Sequence, residues 1–256
     1  MIQESNYKNY IQPNWQVPNC IKAFSTTRKR EGDSDLYGNF NLAEHVNDDN
    51  QKVLNNRQSL SKELELPTSP FWLEQFHSTK VVEYNSEALA EKLKADASYS
   101  YQPNQVCTVM TADCLPILFC NKQGNWVAAT HAGWKGLLNG IVEKTIQKYQ
   151  GASNDLIAWL GPAISAKNFE VGDEVKQQFI AVHSLFEQAF VAKNNGKHLC
   201  DLYLIARLIL KQFHVEVFGG DYCTYEQKNI FYSYRRDGET GRMASLIWID
   251  KKAEKE

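Results

Sequence analysis

Apolar and polar positions along this chain follow two rhythms, one with the period of a helix and one with that of a strand. In KVLNNRQSLSKELEL (52–66), apolar residues at Val53, Leu54, Leu60, Leu64 and Leu66 predict a helix ending near Pro67. FWLEQFHSTKVVEY (71–84) is rich in aromatic and β-branched residues around His77 and predicts extended backbone. QVCTVMTADCLPILFC (105–120) predicts a buried strand interrupted at Pro116, and NWVAATHAGW (125–134) predicts a second strand. The segment after it carries Leu137, Leu138, Ile141, Val142, Thr145, Ile146 and Tyr149 at helical spacing, with Gly151 placed to end one continuous helix. DLIAWLGPAI (155–164) predicts a strand stopping at Gly161-Pro162, and residues 171–183 and 201–214 predict helices. FYSYRRDGETGRMASLIWI (231–249) predicts a hairpin with DGETG near its tip, and the tail KKAEKE a charged, frayed end.

Strands and helices mix without strict β-α alternation. The expected class is α+β, with mixed β-sheets flanked by helices in a single domain over residues 1–256. Composition changes this picture little. At 43% hydrophobic and 23% charged residues, the chain resembles an ordinary globular protein. A net charge of −2 gives no electrostatic reason to expect nucleic acid or a membrane surface as partner. No apolar run approaches the roughly 20 residues that cross a bilayer. The polar start MIQESNYKNYIQPNW lacks a signal-peptide core, so a cytoplasmic setting is expected. The six cysteines are scattered and form no C-x-x-C pair, which argues against a disulfide framework and a zinc knuckle.

The chemistry concentrates between Val109 and Gly136, where Cys114 lies in Ala-Asp-Cys-Leu-Pro and His131 in His-Ala-Gly-Trp. The turn residues NKQGN (121–125) suggest a hairpin joining the two. A four-residue loop from Asn121 to Gly124 pairs Cys120 with Asn125 and sets Cys114 opposite His131. A five-residue loop sets Cys114 opposite Ala132 and turns His131 to the other face. The pair then reads in three ways: a nucleophile with its base, two metal ligands, or core. Asp113 weighs against core, because a carboxylate in an apolar strand is costly unless it has a partner. Lys135, at the start of a helix after His131, adds positive charge where an anion would sit. Arg235, Arg236 and Arg242 near the last predicted hairpin read more simply as exposed turn charges than as anion ligands.

These residues resemble a known family. TADCLPILFC, HAGWKG, WLGPAI…FEVGDEV and FYSYRRDGETGRMASLIW are similar, in order from about Phe24 to Ile249, to the YfiH-like family. That family is also called laccase-domain, polyphenol oxidase or peptidoglycan-editing factor, and is described as having purine nucleoside phosphorylase and adenosine deaminase activity. The resemblance implies a layered α/β/β/α sandwich. It implies a zinc site, with copper as the alternative, made by His77 of Gln75-Phe76-His77, by Cys114 and by His131. Three ligands with one open position are what a catalytic zinc site needs. Arg28, Asn41, His45 and Asp48 match the family's early block, whereas Lys29-Arg30, Asn47 and Lys135 depart from it.

The implied activity is phosphorolysis of adenosine, inosine or methylthioadenosine, with adenosine deamination as a side reaction. Cys114 and Asp113 are then the expected catalytic residues, Asp113 as proton handler. Arg28, Asn41, His45 and Lys135 are the expected substrate-binding residues. A purine nucleoside and phosphate are the expected partners. Alternatives from other classes are a copper polyphenol oxidase, a metal-free Cys–His hydrolase or amidase with Cys114 as nucleophile, and a nucleoside-binding module without turnover. Six histidines with no H-x-H pair argue against a four-copper site.

Overall fold

A computed structural model describes residues 9–28, 36–84 and 93–251. In chain order the described strands are β1 (Tyr10–Ile11), β2 (Ile21–Thr26), β3 (Val81–Glu83), β4 (Ala97–Ser100), β5 (Cys107–Thr111), β6 (Leu115–Asn121), β7 (Val127–Ala132), β8 (Leu156–Leu160), β9 (Glu170–Gly172), β10 (Phe190–Ala192), β11 (Lys197–Cys200), β12 (Glu216–Gly219) and β13 (Met243–Ile249). The described α-helices are α1 (Asn50–Glu63), α2 (Trp134–Leu138), α3 (Ile141–Ile146), α4 (Asp173–Val182), α5 (Leu202–Gln212) and α6 (Tyr234–Asp237). Among the described residues they form a six-stranded sheet (β12-β8-β6-β7-β4-β3), a four-stranded sheet (β1-β2-β13-β5) and a small sheet (β10-β11-β9).

The two larger sheets face each other, and period-2 alternation explains how. On the four-stranded sheet, Ile21, Ala23, Cys107, Val109, Ile247 and Ile249 point inward against Leu118, Cys120, Val127, Ala129 and Trp159 of the six-stranded sheet. Its alternate residues Phe24, Met110, Leu246 and Trp248 point outward and pack on Leu60 of α1. Ile117, Phe119, Ala128 and Leu160 on the far face of the six-stranded sheet pack against α3 and α5 through Ile141, Val142, Ile205 and Ile209. The order is helix, sheet, sheet, helix, as the resemblance implied. No described helix is long and apolar enough to cross a membrane.

Three expectations need correction. The 105–120 run breaks at Ala112–Cys114 rather than at Pro116, because Asp113 takes a left-handed φ of 88°. Pro116 sits inside β6, and its carbonyl accepts from Gly161 N–H at 2.9 Å. The side of Pro116 that lacks an N–H therefore faces the point where β8 ends, and the Gly161 carbonyl opposite it accepts from the Tyr203 hydroxyl at 3.0 Å instead. The helix expected after His131 is two short helices, because Asn139-Gly140 interrupts it with Gly140 at φ 89°. The 231–249 segment is not a hairpin: Ser233 caps α6 by accepting from Arg236 N–H, and β13 pairs with β2 and β5 instead. The extended 71–84 stretch forms β3 and single bridges at Phe71 and Glu74. Lys29-Arg30 and all but the first residue of the KKAEKE tail lie outside the described residues.

Candidate metal centre and active site

The β6–β7 hairpin has a register that neither simple loop predicts. Cys120 pairs with Val127 and Pro116 with His131, around a four-residue loop, Lys122 to Asn125. The Asn121 side chain explains the shift: its Oδ1 accepts from the N–H groups of Asn125 and Trp126, both at 3.0 Å. The observed register differs by two residues from the one that opposes Cys114 to His131. A two-residue slip preserves the face. Cys114 therefore stands diagonal to His131, and both lie on the inter-sheet side at the end of the ladder. With His77 they form a group whose three ligand atoms lie within 4.8 Å of one another.

Each member is positioned by a different device. His131 is 5% exposed, and its Nδ1 lies 2.8 Å from Oδ1 of Asp96, which is fully buried. An ionised carboxylate can only accept, so Nδ1 carries the hydrogen and Nε2 is left for a ligand. His77 lies outside any strand at φ 60°, and its N–H donates to the same Asp96 Oδ1 at 3.0 Å. The Ser78 N–H and hydroxyl donate to Asp96 Oδ2 at 2.6 and 2.7 Å. Gln75 adds a two-point clamp, its Nε2 donating to Met110 O and its Oε1 accepting from Met110 N–H, at 2.8 and 2.7 Å. Cys114 Sγ is 3.7 Å from His77 Nε2. Glycine at 133 leaves room for two ligands, since a Cβ would lie 2.9 Å from Cys114 Sγ and 3.0 Å from His77 Cδ2.

The electrostatics are those of a coupled site. Burial works against ionisation of Cys114, but the neighbouring imidazoles of His131 and His77 outweigh it and bring the thiol down to about 6. Burial opposes protonation of His131, but Cys114 and Asp96 outweigh it and raise it to about 9. Burial of Asp96 is likewise outweighed, by hydrogen bonds from His131 and Ser78, and the carboxyl falls to about 2. A thiolate and two imidazoles with an outer carboxylate on one of them form a donor set that can hold a metal ion.

A cavity of about 510 Å³ opens on this group. Trp134, Ile164, Phe169 and Leu202 give it an apolar wall, and His45, Tyr234, Arg235 and Arg242 a polar one. Of the expected substrate residues, His45 lines this cavity. Arg28 instead lies over the Tyr232 ring at 5.0 Å and 4.0 Å from Asp237. Lys135 is exposed, with its ammonium 5.6 Å from the Trp134 ring centre. Asn41 is fully buried, and its Oδ1 accepts from the N–H groups of Ala43 and Arg242. Asp113 faces the cavity, yet its carboxylate is engaged elsewhere. Oδ1 accepts from the Thr224 hydroxyl and Oδ2 from the Arg235 N–H, both at 2.6 Å. This arrangement clamps the left-handed turn before Cys114 and favours a positioning role over proton transfer.

Sequence reasoning missed Asp96 and the apolar wall, and set Arg242 aside as an exposed turn charge. The available signal for Asp96 was one acidic residue before the short run Ala-Ser-Tyr-Ser. The signal for Arg242 was hidden by the expectation of an exposed turn.

Residues 22–250 match the family described as multi-copper polyphenol oxidoreductase laccase. The Escherichia coli protein named purine nucleoside phosphorylase YfiH is 46% identical over 240 residues, covering 93% of this chain and 98% of that one. This chain belongs to the YfiH-like, laccase-domain family. A Haemophilus influenzae protein named purine nucleoside phosphorylase is also 46% identical, over 243 residues, 94% of this chain and 99% of that one. A Neisseria meningitidis crystal structure matches with a TM-score of 0.91 at 45% identity, over 95% of this chain and all of that one. In this YfiH-like chain the Gln-x-His, Ala-Asp-Cys and His-Ala-Gly-Trp blocks are the three segments that carry the converging side chains.

Proposed function

We propose that this protein is a metal-dependent purine nucleoside phosphorylase acting on adenosine, inosine or methylthioadenosine, with adenosine deamination as a side activity. The observation that carries the reading is the convergence of His77, Cys114 and His131 at one end of a cavity that also has an apolar wall. The relatives' names support the reaction, at 46% identity over nearly the whole chain. In phosphorolysis a phosphate oxygen bonds to C1′ of the sugar as the C1′–N9 bond breaks. The electron pair leaves with the purine, which takes up a proton, and the products are the base and a ribose 1-phosphate.

Zinc is the proposed ion, held by Cys114 Sγ and by one nitrogen each of His77 and His131. One sulfur and two nitrogens with an open side suit catalytic zinc. Such an ion supplies Lewis acidity at the cavity wall when bound. The protein's own groups bind and orient: the apolar wall shelters the base from water, His45 faces the same cavity, and Asp113 holds the Cys114 turn in place. A mononuclear site of this composition suits copper as well, which the laccase description of the family favours. Among the described residues this is one clustered ligand group, whereas multicopper chemistry needs several. A small-molecule substrate in a cytoplasmic setting completes the proposal.

The test is adenosine cleavage measured with and without inorganic phosphate, on metal-loaded, chelator-stripped and zinc- or copper-reconstituted protein. Phosphate-dependent release of adenine that disappears on stripping and returns with zinc is expected. Equal turnover in stripped and loaded samples would sink the metal-dependent mechanism.

A further inference from the structure

Two arginines line the cavity, Arg242 and the exposed Arg235, whose Nη1 donates to Glu170 O at 3.0 Å and whose guanidinium lies over the Phe169 ring, while Arg236 sits just outside it. Arg236 is engaged throughout: Nε and Nη2 bind Asp237 at 2.8 and 2.7 Å, Nη1 donates to the carbonyls of Thr224 and Tyr225, and Nη2 donates also to Phe231 O. Arg242 has one engaged nitrogen, Nη1, which donates to the carbonyls of Thr240 and Gly241 at 2.6 and 3.0 Å. Its Nε and Nη2 have no hydrogen-bond partner among the described residues, and no described carboxylate lies within ion-pair distance. Yet Arg242 is half-buried, and burial pulls its pKa below the ordinary arginine value, with Cys114 and Asp113 opposing that pull. Its two unengaged nitrogens are not fully buried, so both open on the cavity, where an arriving anion can meet them.

The mount of Arg242 is rigid. Its N–H donates to Oδ1 of the fully buried Asn41 at 2.9 Å, and the Asn41 amide donates in turn to Asp48 and Ala43 O. Gly241 admits no side chain, since a Cβ would meet the Tyr232 ring at 2.7 Å and Asn41 Cβ at 3.0 Å. His45 lines the cavity with Arg242, whose charge adds to burial in lowering the His45 pKa. Trp134, Ile164, Phe169 and Leu202 come from the opposite layer, packed in or against the core on the helical face of the six-stranded sheet.

We infer that Arg242 anchors the inorganic phosphate, with its unengaged Nε and Nη2 presented as a fork to two phosphate oxygens, while the apolar wall takes the purine base. The inference rests on the phosphorolysis reading above. It sets the direction of binding, with the sugar C1′ between the Arg242 side and the Trp134 side. It also gives Asn41 a task other than touching substrate, which is to aim Arg242.

The experiment compares the metal-loaded wild type with R242Q and R242K. Inorganic phosphate is varied at saturating adenosine, then adenosine at saturating phosphate. R242Q should raise the KM for phosphate about ten- to hundredfold and leave the KM for adenosine within about twofold. R242K, which keeps the charge but loses the fork, should fall between. An unchanged phosphate KM, or equal rises in both, overturns the assignment. Metal content and thermal melting of each variant are measured alongside. If R242Q does not fold, R242K decides by the same split at about a severalfold level. If the wild type shows no phosphate-dependent cleavage, the phosphorolysis reading fails, and calorimetric titration with inorganic phosphate then judges Arg242 separately. Binding by the wild type that R242Q or R242K weakens keeps the anion site, whereas no binding, or equal binding, removes it.

Discussion

His131 and His77 reach the same few ångströms of space by different routes. His131 belongs to a regular strand, and its outer nitrogen is held by Asp96. His77 is exposed, sits in left-handed backbone outside any strand, and is held through its main-chain N–H by that same Asp96. One buried carboxylate thus orients one ligand through its ring and the other through its backbone. The carboxylate tolerates full burial because four donors from three residues, His131, His77 and Ser78, meet it within 3.0 Å. The contrast teaches that the site's precision resides in Asp96 as much as in the ligands.

The contrast breaks most completely with Asp96→Ala, which strands several buried donors at once. A loss of about 3–5 kcal/mol of stability is expected, read by denaturant unfolding, together with loss of stoichiometric metal. Asp96→Asn keeps the shape but sets an NH2 group against one of the two donor pairs, so a stability loss smaller than that of Asp96→Ala and roughly 10–100-fold weaker metal binding are expected. Stability equal to wild type in both variants would show that Asp96 does not couple the two histidines.

The two histidines should also separate when each is removed. His131→Ala leaves Asp96 buried without its ring partner, and should destabilise the metal-free protein by about 2–4 kcal/mol. His77→Ala removes an exposed ring and should change metal-free stability by less than about 1 kcal/mol. Both should abolish tight metal binding. Similar stability losses in the two variants would remove the asymmetry.

A pH experiment tests the field that both rings make at Cys114. The thiol pKa is lowered to about 6, so the metal-free thiolate should be populated above that pH and lost as pH falls through it. Alkylation of Cys114 should therefore reach half its maximal rate near pH 6, against roughly 8.5 for an unperturbed thiol. An alkylation midpoint at the ordinary thiol value would contradict the coupling. The smallest effect belongs to Gly133→Ala, whose Cβ would press on both Cys114 Sγ and His77 Cδ2. A severalfold loss of metal affinity with little change in melting is expected, because a flexible His77 can yield by a few tenths of an ångström at modest cost.

How much of this was legible in the sequence depends on the range of the interaction that decides it. The strand segments 105–120, 125–134 and 155–164 were readable because their apolar and β-branched runs are local signals. Facing of Cys114 and His131 survived an error in register because the true ladder is offset by two residues, and parity decides the face. The break in the 105–120 run was misplaced because Pro116 is a visible punctuator, whereas the left-handed turn at Asp113 is enforced by Thr224 and Arg235 far along the chain. The 231–249 hairpin failed for a similar reason. Its first arm is recruited as α6, whose Arg235 N–H donates to Asp113, a tertiary demand that turn composition does not record. Asp96 was missed, and Arg242 set aside, because their meaning lies in what surrounds them: several donors for the first, and for the second a cavity with no carboxylate within ion-pair distance among the described residues.

The central claim is that His77, Cys114 and His131 hold one metal ion that phosphorolysis requires. The most direct test loads wild type and Cys114→Ala with zinc under identical conditions. Bound metal is then counted per chain, and phosphate-dependent adenine release is measured on the same samples. The account predicts about one ion per wild-type chain with phosphate-dependent release, and neither property in the variant. A Cys114→Ala protein that releases adenine at the wild-type rate, with or without metal, would contradict it.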